Sequence, residues 1–241
     1  MLDKINPFNV LFLDIETVPQ KPGFSELPEK FKYFWEKKAE KFRAEDQSAE
    51  DVYPRAGIYA EFGKIVCISV GVLKNGTETK YGFRVKSFYG ADEKELLQGF
   101  SKMVQKFSSK EDARLCAHNG KEFDFPYIVR RMLINRLPVP EILNVPGKKP
   151  WEVPFLDTME LWKFGDYKNY TSLDLLTYIF DIPTPKDDID GSMVGKVFWE
   201  ENDVERIVHY CEKDTQAVAQ LFLRFKGEEL IEEQDIERAT D

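Results

Sequence analysis

The sequence predicts one α/β domain over a mixed β-sheet, and three observations predict it. Apolar, β-branched runs come early in the chain, helical periodicity alternates with short strands afterwards, and turn residues separate them. The 241 residues suffice for a sizeable core, and 42% hydrophobic, 14% aromatic and 32% charged residues exclude a disordered chain or a fibrous repeat.

The first strand is Asn9–Val18, β-branched and aromatic, ended by Pro19. Residues 19–60 change character and read as an insertion, in which Phe31, Phe34, Trp35, Ala39 and Phe42 fall near helical spacing. A second apolar strand covers Lys64–Leu73, Lys74–Thr77 has hairpin-turn composition, and Thr79–Phe88 alternates as a third strand, giving an antiparallel meander. Leu96, Leu97, Phe100, Val104 and Phe107 place a helix over Ala91–Phe107, followed by a fourth strand at Ala113–Ala117. Asp124–Leu137 reads as helix, five prolines interrupt regular structure from Pro138 to Pro154, and Phe155–Thr158 is a fifth strand. Ser172–Phe180 is helical with Thr171 or Ser172 as cap. Asp181–Gly195 is a Pro- and Asp-rich loop, and Asn202–Lys226 is one long helix capped by Asn202 or Asp203. The domain is therefore expected over residues 1–226, with 227–241 as an acidic tail.

The formal charge of −9 excludes a protein that coats nucleic acid through lysine and arginine, but not local, metal-assisted contact. The apolar run Ile65–Leu73 is far short of the roughly 20 residues that span a bilayer, and Met1–Val10 has no signal-peptide pattern. No membrane is expected as a partner. Cys67, Cys116 and Cys211 are odd in number and set among apolar neighbours, which predicts buried thiols in a reducing, cytoplasmic setting.

Three features stand out against this background. Asp14 and Glu16 lie two apart in an otherwise apolar strand, so both face one side, about 7 Å apart or closer. Such a pair persists beside a cation, beside a lysine or arginine, or on a solvated edge. Asp124 follows the fourth strand in His118–Asp124, where it is either a site residue at the strand's carboxyl end or a helix cap. Tyr210 and Asp214 stand four apart on one helical face, either solvated or drawn toward the core beside Cys211 and Val218.

Taken together, Phe12-Leu13-Asp14-Ile15-Glu16-Thr17, then Asn119 with Phe123-Asp124, then Tyr210 with Asp214, resemble the three motifs of the DEDD superfamily of 3′–5′ exonucleases. The likeness is to the proofreading exonuclease domain of family-B DNA polymerases, in the subclass with tyrosine in the third motif. It covers about residues 8–225, with Phe155–Thr158 and Ser172–Leu176 similar to connecting segments. The resemblance implies a ribonuclease-H-like fold and two divalent cations, Mg²⁺ or Mn²⁺. It implies that Asp14, Glu16 and Asp214 hold one ion, that Asp14 bridges to the second, and that Asp124 supports the second through water. It also implies that Tyr210 orients the attacking water and that Thr17, Asn119 and Phe123 meet substrate. The implied reaction releases nucleoside 5′-monophosphates from a 3′ end, with single-stranded DNA favoured over RNA.

Several readings stay open. His209, five residues before Asp214, matches the base of the sister subclass, although on a continuous helix it projects about 140° away from Asp214. Tyr33, Phe34 and Trp35 with Lys37, Lys38 and Lys41 read either as a covering helix with a solvated face or as a strand-binding surface. Lys148-Lys149-Pro150-Trp151 is a second basic, aromatic spot, whereas Arg130, Arg131 and Arg136 read as the polar face of a helix. Asp188, Asp190 and Gly191 have part of a calcium-loop spacing, but Trp199 occupies the position that needs a glutamate. The loop instead positions the last helix or touches the substrate terminus through Lys186 and Ser192. No polymerase domain follows, so a nuclease acting alone or beside a polymerase or repair protein is expected. The alternatives are an exoribonuclease of the same fold and a catalytically silent nucleic-acid-binding module.

Overall fold

The computed structural model describes residues 2–77, 79–166, 170–183 and 189–239. In chain order the elements are β1 (Val10–Pro19), α1 (Glu29–Ala39), β2 (Gly63–Asn75), β3 (Tyr81–Tyr89), α2 (Glu93–Ser108), β4 (Arg114–Ala117) and α3 (Asp124–Ile134). There follow β5 (Phe155–Asp157), α4 (Thr158–Lys163), α5 (Leu173–Ile179), α6 (Val194–Lys196), α7 (Val204–Phe225) and β6 (Ile236–Arg238). The strands form one mixed sheet in the order β5-β4-β1-β2-β3-β6. β1, β2 and β3 make the expected antiparallel meander, while β4 joins β1, β5 joins β4 and β6 joins β3 in parallel.

The period of two along β1 divides the core between the sheet's faces. Leu11, Leu13 and Ile15 pack with Leu97 and Phe100 of α2 and Ile128 and Met132 of α3. Val10 and Phe12 face the other way, onto Val218 and Phe222 of α7. Asp14 and Glu16 continue this second row, in the direction of Cys211 and Val208. Asp203 caps α7 by accepting the Arg206 amide at 3.1 Å, and Ser172 caps α5 through the Leu175 amide at 3.3 Å. Among the described residues no helix is long and apolar enough to cross a membrane, and Cys67, Cys116 and Cys211 are buried free thiols.

Four features depart from the sequence expectation. The sheet has six strands, because the segment after residue 226 returns to β3 as β6. Its acidic residues explain the docking: Asp235 accepts from the Thr77 amide at 2.8 Å, and Glu237 pairs with Lys74 and Arg84. α4 and α6 are too short to generate a periodic signal; α4 is started by Asp157, which accepts the Met159 amide at 3.0 Å. The 19–60 insertion closes a core of its own around Trp35, whose indole N–H donates to the Ala49 carbonyl at 2.7 Å. Arg131, read as a solvated residue, is buried. Its guanidinium grips Glu93 at 2.8 and 2.6 Å and the Ala60 carbonyl at 2.8 Å.

Glu93 also accepts the Ile65 amide at 2.7 Å and the Asn135 amide nitrogen at 2.9 Å, so this pair ties α2, α3, β2 and the insertion together. Fully partnered, the pair is tolerable; with one member gone, a buried charge is stranded. Arg131→Ala is expected to cost about 3–5 kcal/mol in urea unfolding, and a loss under about 1 kcal/mol would show that the network is dispensable.

Candidate active site

β1 delivers the first two acids. Strand pairing sets Asp14 opposite Ser69 and Glu16 opposite Cys67 on β2, with a register shift immediately after Glu16. The α7 helix is tied down at this level, because Thr215 Oγ1 donates to the Ser69 carbonyl at 3.3 Å. One turn earlier, the Cys211 thiol donates to the Asp14 carboxylate and to its carbonyl, both at 3.4 Å. Ligand atoms of Asp14, Glu16 and Cys211 lie within 4.8 Å of one another. On the same helix Tyr210 donates a hydrogen bond to Asp214.

Asp124 arrives from the opposite side, as the first residue of α3 and not as its cap. The last β1–β4 pair is Phe12 with Cys116, so the Ile15 amide lies beyond the end of that ladder and is left for a side chain; the Asp124 carboxylate accepts it. The turn between β4 and α3 is built for this return. Asn119 has a left-handed backbone at φ 61°, and a Cβ on Gly120 would lie 2.4 Å from the Ala117 side chain. Asp157, 2% exposed at the end of β5, accepts the Asn119 amide at 2.9 Å and the Lys121 amide at 3.0 Å. His118 spans Thr158 and the Thr171 carbonyl, 2.9 Å from each, and burial pushes its pKa down.

The electrostatics follow from crowding. Burial, then Glu16, Asp124 and Asp214, push the Asp14 carboxyl well up. Glu16 is raised by burial and then by Asp214, Cys67 and Asp124. Burial pushes Asp124 up to about 7, with Asp157 and Asp214 adding to the rise and the amides of Asp124 and Ile15 opposing it. Tyr210 is raised by burial and by Asp214, Glu16 and Asp14, so it is a neutral phenol. Among side chains, those acting most strongly on these carboxyls are other acids and thiols, while the Asp124 and Ile15 amides oppose the rise at Asp124. Hard oxygen donors crowded in this way are a donor set suited to Mg²⁺ or Mn²⁺.

Asp14, Glu16, Asp124 and Asp214 thus lie close enough to act on one another, and Tyr210 joins them through Asp214, Glu16 and Asp14, whereas spacing alone paired only Asp14 with Glu16 and Tyr210 with Asp214. His209 is exposed and turns its Nδ1 to Arg238, 2.8 Å away. Thr17 donates to the Tyr127 hydroxyl, which in turn donates to the Gly57 carbonyl at 2.6 Å. Phe123 is half-buried against the Tyr127 ring, with centroids 5.4 Å apart, and Asn119 has a buried side-chain oxygen with no partner among the described residues. Lys186, Asp187 and Asp188 lie outside the described residues. Sequence reasoning set Cys211 beside Asp214 but missed its hydrogen bond to Asp14, and it missed Asp157 as a site neighbour. Asp157 was legible only as part of a connecting segment, since its amide partners come from a turn 36 and 38 residues away.

No curated protein matches the sequence. In fold the chain is similar to the family B DNA polymerase of the hyperthermophilic archaeon Pyrobaculum calidifontis, at 17% identity and a TM-score of 0.53. That likeness covers 89% of this chain and 24% of the polymerase, so the chain spans about a quarter of the polymerase's length. Residues 58–239, which contain Asp124, Tyr210 and Asp214 but not β1, match the model of a family described as a predicted 3′–5′ exonuclease related to the exonuclease domain of PolB, and the chain belongs to that family.

Proposed function

We propose that the protein is a metal-dependent 3′–5′ exonuclease acting on single-stranded DNA. The observation that carries this reading is the mutual crowding of Asp14, Glu16, Asp124 and Asp214, with Tyr210 hydrogen-bonded to Asp214. A module that only binds nucleic acid gains nothing from clustered acids beside a polyanion, and in a chain of charge −9 they would repel phosphate.

Asp14, Glu16 and Asp214 would hold one cation and Asp14 and Asp124 a second. Two divalent cations, when bound, supply stabilisation of the attacking and leaving oxygens and a water acidic enough to act near neutral pH. Tyr210 does not act as a general base, because its phenol is held neutral and its own proton is committed to Asp214. It acts by accepting a hydrogen bond from the attacking water and so orienting it. Asn119 and Phe123, in the turn that leads into Asp124, would receive the terminal nucleotide. The water oxygen bonds to the terminal phosphorus and the bond to the preceding O3′ breaks. A nucleoside 5′-monophosphate leaves, and the shortened strand carries a new 3′-hydroxyl.

The test uses 5′-labelled single strands of DNA and RNA with Mg²⁺, Mn²⁺ or EDTA. A ladder shortening from the 3′ end, faster on DNA, lost in EDTA and lost in Asp14→Ala is the expected result. Faster loss of RNA would make the enzyme an exoribonuclease, and binding without a ladder would make it a silent module. In the same assay Tyr210→Phe is expected to lower turnover by about 10²-fold and His209→Ala to leave it near normal. The reverse order would move the water-orienting role to His209.

The raised carboxyls also fix a pH dependence. Their folded pKa values lie above those of the unfolded chain, so the folded state holds more protons and stability falls as pH rises from about 4. For Asp124 the fall ends near its folded value of about 7. Without divalent cations the melting temperature is expected to fall between pH 5 and 7, and less steeply in Asp124→Asn. Equal slopes in the two proteins would remove Asp124 from the cluster's energetics.

A further inference from the structure

The 19–60 insertion contains a surface that the catalytic reading does not use. Its residues 29–43 carry six lysines or arginines against three glutamates, in a chain whose net charge is −9. Beside α1 lies an open groove of about 880 Å³, lined by Phe31, Phe34, Lys37, Lys38, Lys41 and Phe62, with Glu40 and Glu61 also contributing. Phe34 is 45% exposed and Tyr33 54% exposed, their rings 5.7 Å apart. Glu40 is already engaged by Lys37 at 3.3 Å, and Lys38 is held over the Tyr59 ring at 4.1 Å. The base under this surface is rigid, since the same helix buries Trp35 and Ala39 completely in the insertion's own core.

The position of the groove is fixed by β1. The Gln20 amide donates to the Phe62 carbonyl at 3.1 Å, and Gly63 pairs with Pro19. Pro19 is three positions beyond Glu16, about 10 Å of strand. The groove therefore opens a short way along the strand that presents Asp14 and Glu16. The family match begins at residue 58, so α1 lies outside it.

We infer that this groove binds the single-stranded nucleic acid upstream of its 3′ terminus, with Phe34 and Tyr33 as stacking faces and Lys37 and Lys41 on the phosphates. Lysines beside exposed aromatic rings suit a strand that is anionic along its backbone and flat at its bases, and such stacking tolerates any sequence. Physically the groove answers the difficulty of an acidic site, because the strand's attachment comes from a basic surface set apart from the carboxylates. The inference rests on the nuclease reading for the strand's polarity, not for its binding.

The test compares the wild type with Lys37→Ala/Lys41→Ala and with Phe34→Ala. Binding of a labelled strand of roughly 20 nucleotides is followed by anisotropy in EDTA, and its degradation in Mg²⁺ by gel. Each variant is expected to bind about tenfold more weakly, with KM raised in proportion, kcat unchanged and the melting temperature unmoved. For the double variant the dependence of log affinity on log salt is expected to be shallower by about 1.4, or roughly 0.7 for each phosphate that is no longer neutralised. Unchanged affinity, salt slope and KM would overturn the inference and leave the groove to a protein partner, while wild-type cleavage would keep the nuclease reading intact. Binding that depends on Lys37 and Lys41 without cleavage by the wild type would support the groove and overturn the nuclease reading.

Discussion

Repulsion among Asp14, Glu16, Asp124 and Asp214 is the constraint to which the surrounding structure answers. Asp14, Glu16 and Asp124 are each raised first by burial and then by their acidic neighbours, Asp214 among them. A folded chain holds such a group together only if the elements carrying the acids are anchored by other means. Here the anchors are apolar contact on both faces of β1 and a few well-placed polar ties. Phe12 packs edge-on against Phe222 with centroids 5.5 Å apart, fixing α7 across the strand that carries Asp14. Thr215 sets the height of α7 on the Ser69 carbonyl, opposite Asp14.

The remaining acid depends on backbone amides. Asp157 holds the turn that follows β4 through the Asn119 and Lys121 amides, and that turn brings Asp124 to the Ile15 amide. Two thiols stand beside these carboxyls: Cys211 donates to Asp14, and Cys67 stands opposite Glu16. A thiol donor softens the repulsion without neutralising it, as the proposed divalent ions would do. The C-terminal segment serves the same helix from outside, since Arg238 of β6 pairs with Glu212 at 2.5 Å and with His209.

Much of this was legible in the sequence where the signal is local. Asp14 and Glu16 share a face because strand residues alternate, and Val10 and Phe12 show which face it is. Tyr210 and Asp214 meet because a helix repeats every 3.6 residues. What was hidden depends on distant partners. Arg131 looks like any surface arginine until Glu93, 38 residues away, is seen beneath it. β6 is three residues of charged sequence whose strand character comes from Lys74, Arg84 and Thr77. The aromatic run Tyr33-Phe34-Trp35 held one core residue and two exposed ones, a division set by the insertion's own packing.

The central claim is that the carboxylate cluster is a two-cation centre. Its most direct measurement is calorimetric titration of Mn²⁺ into metal-free protein in the presence of a nucleoside 5′-monophosphate, the implied product, beside Asp14→Asn. Two ions are expected per chain, with both absent or greatly weakened in the variant, because Asp14 is the residue proposed to hold both. Absence of Mn²⁺ binding by the wild type, or undiminished binding by the variant, would contradict it.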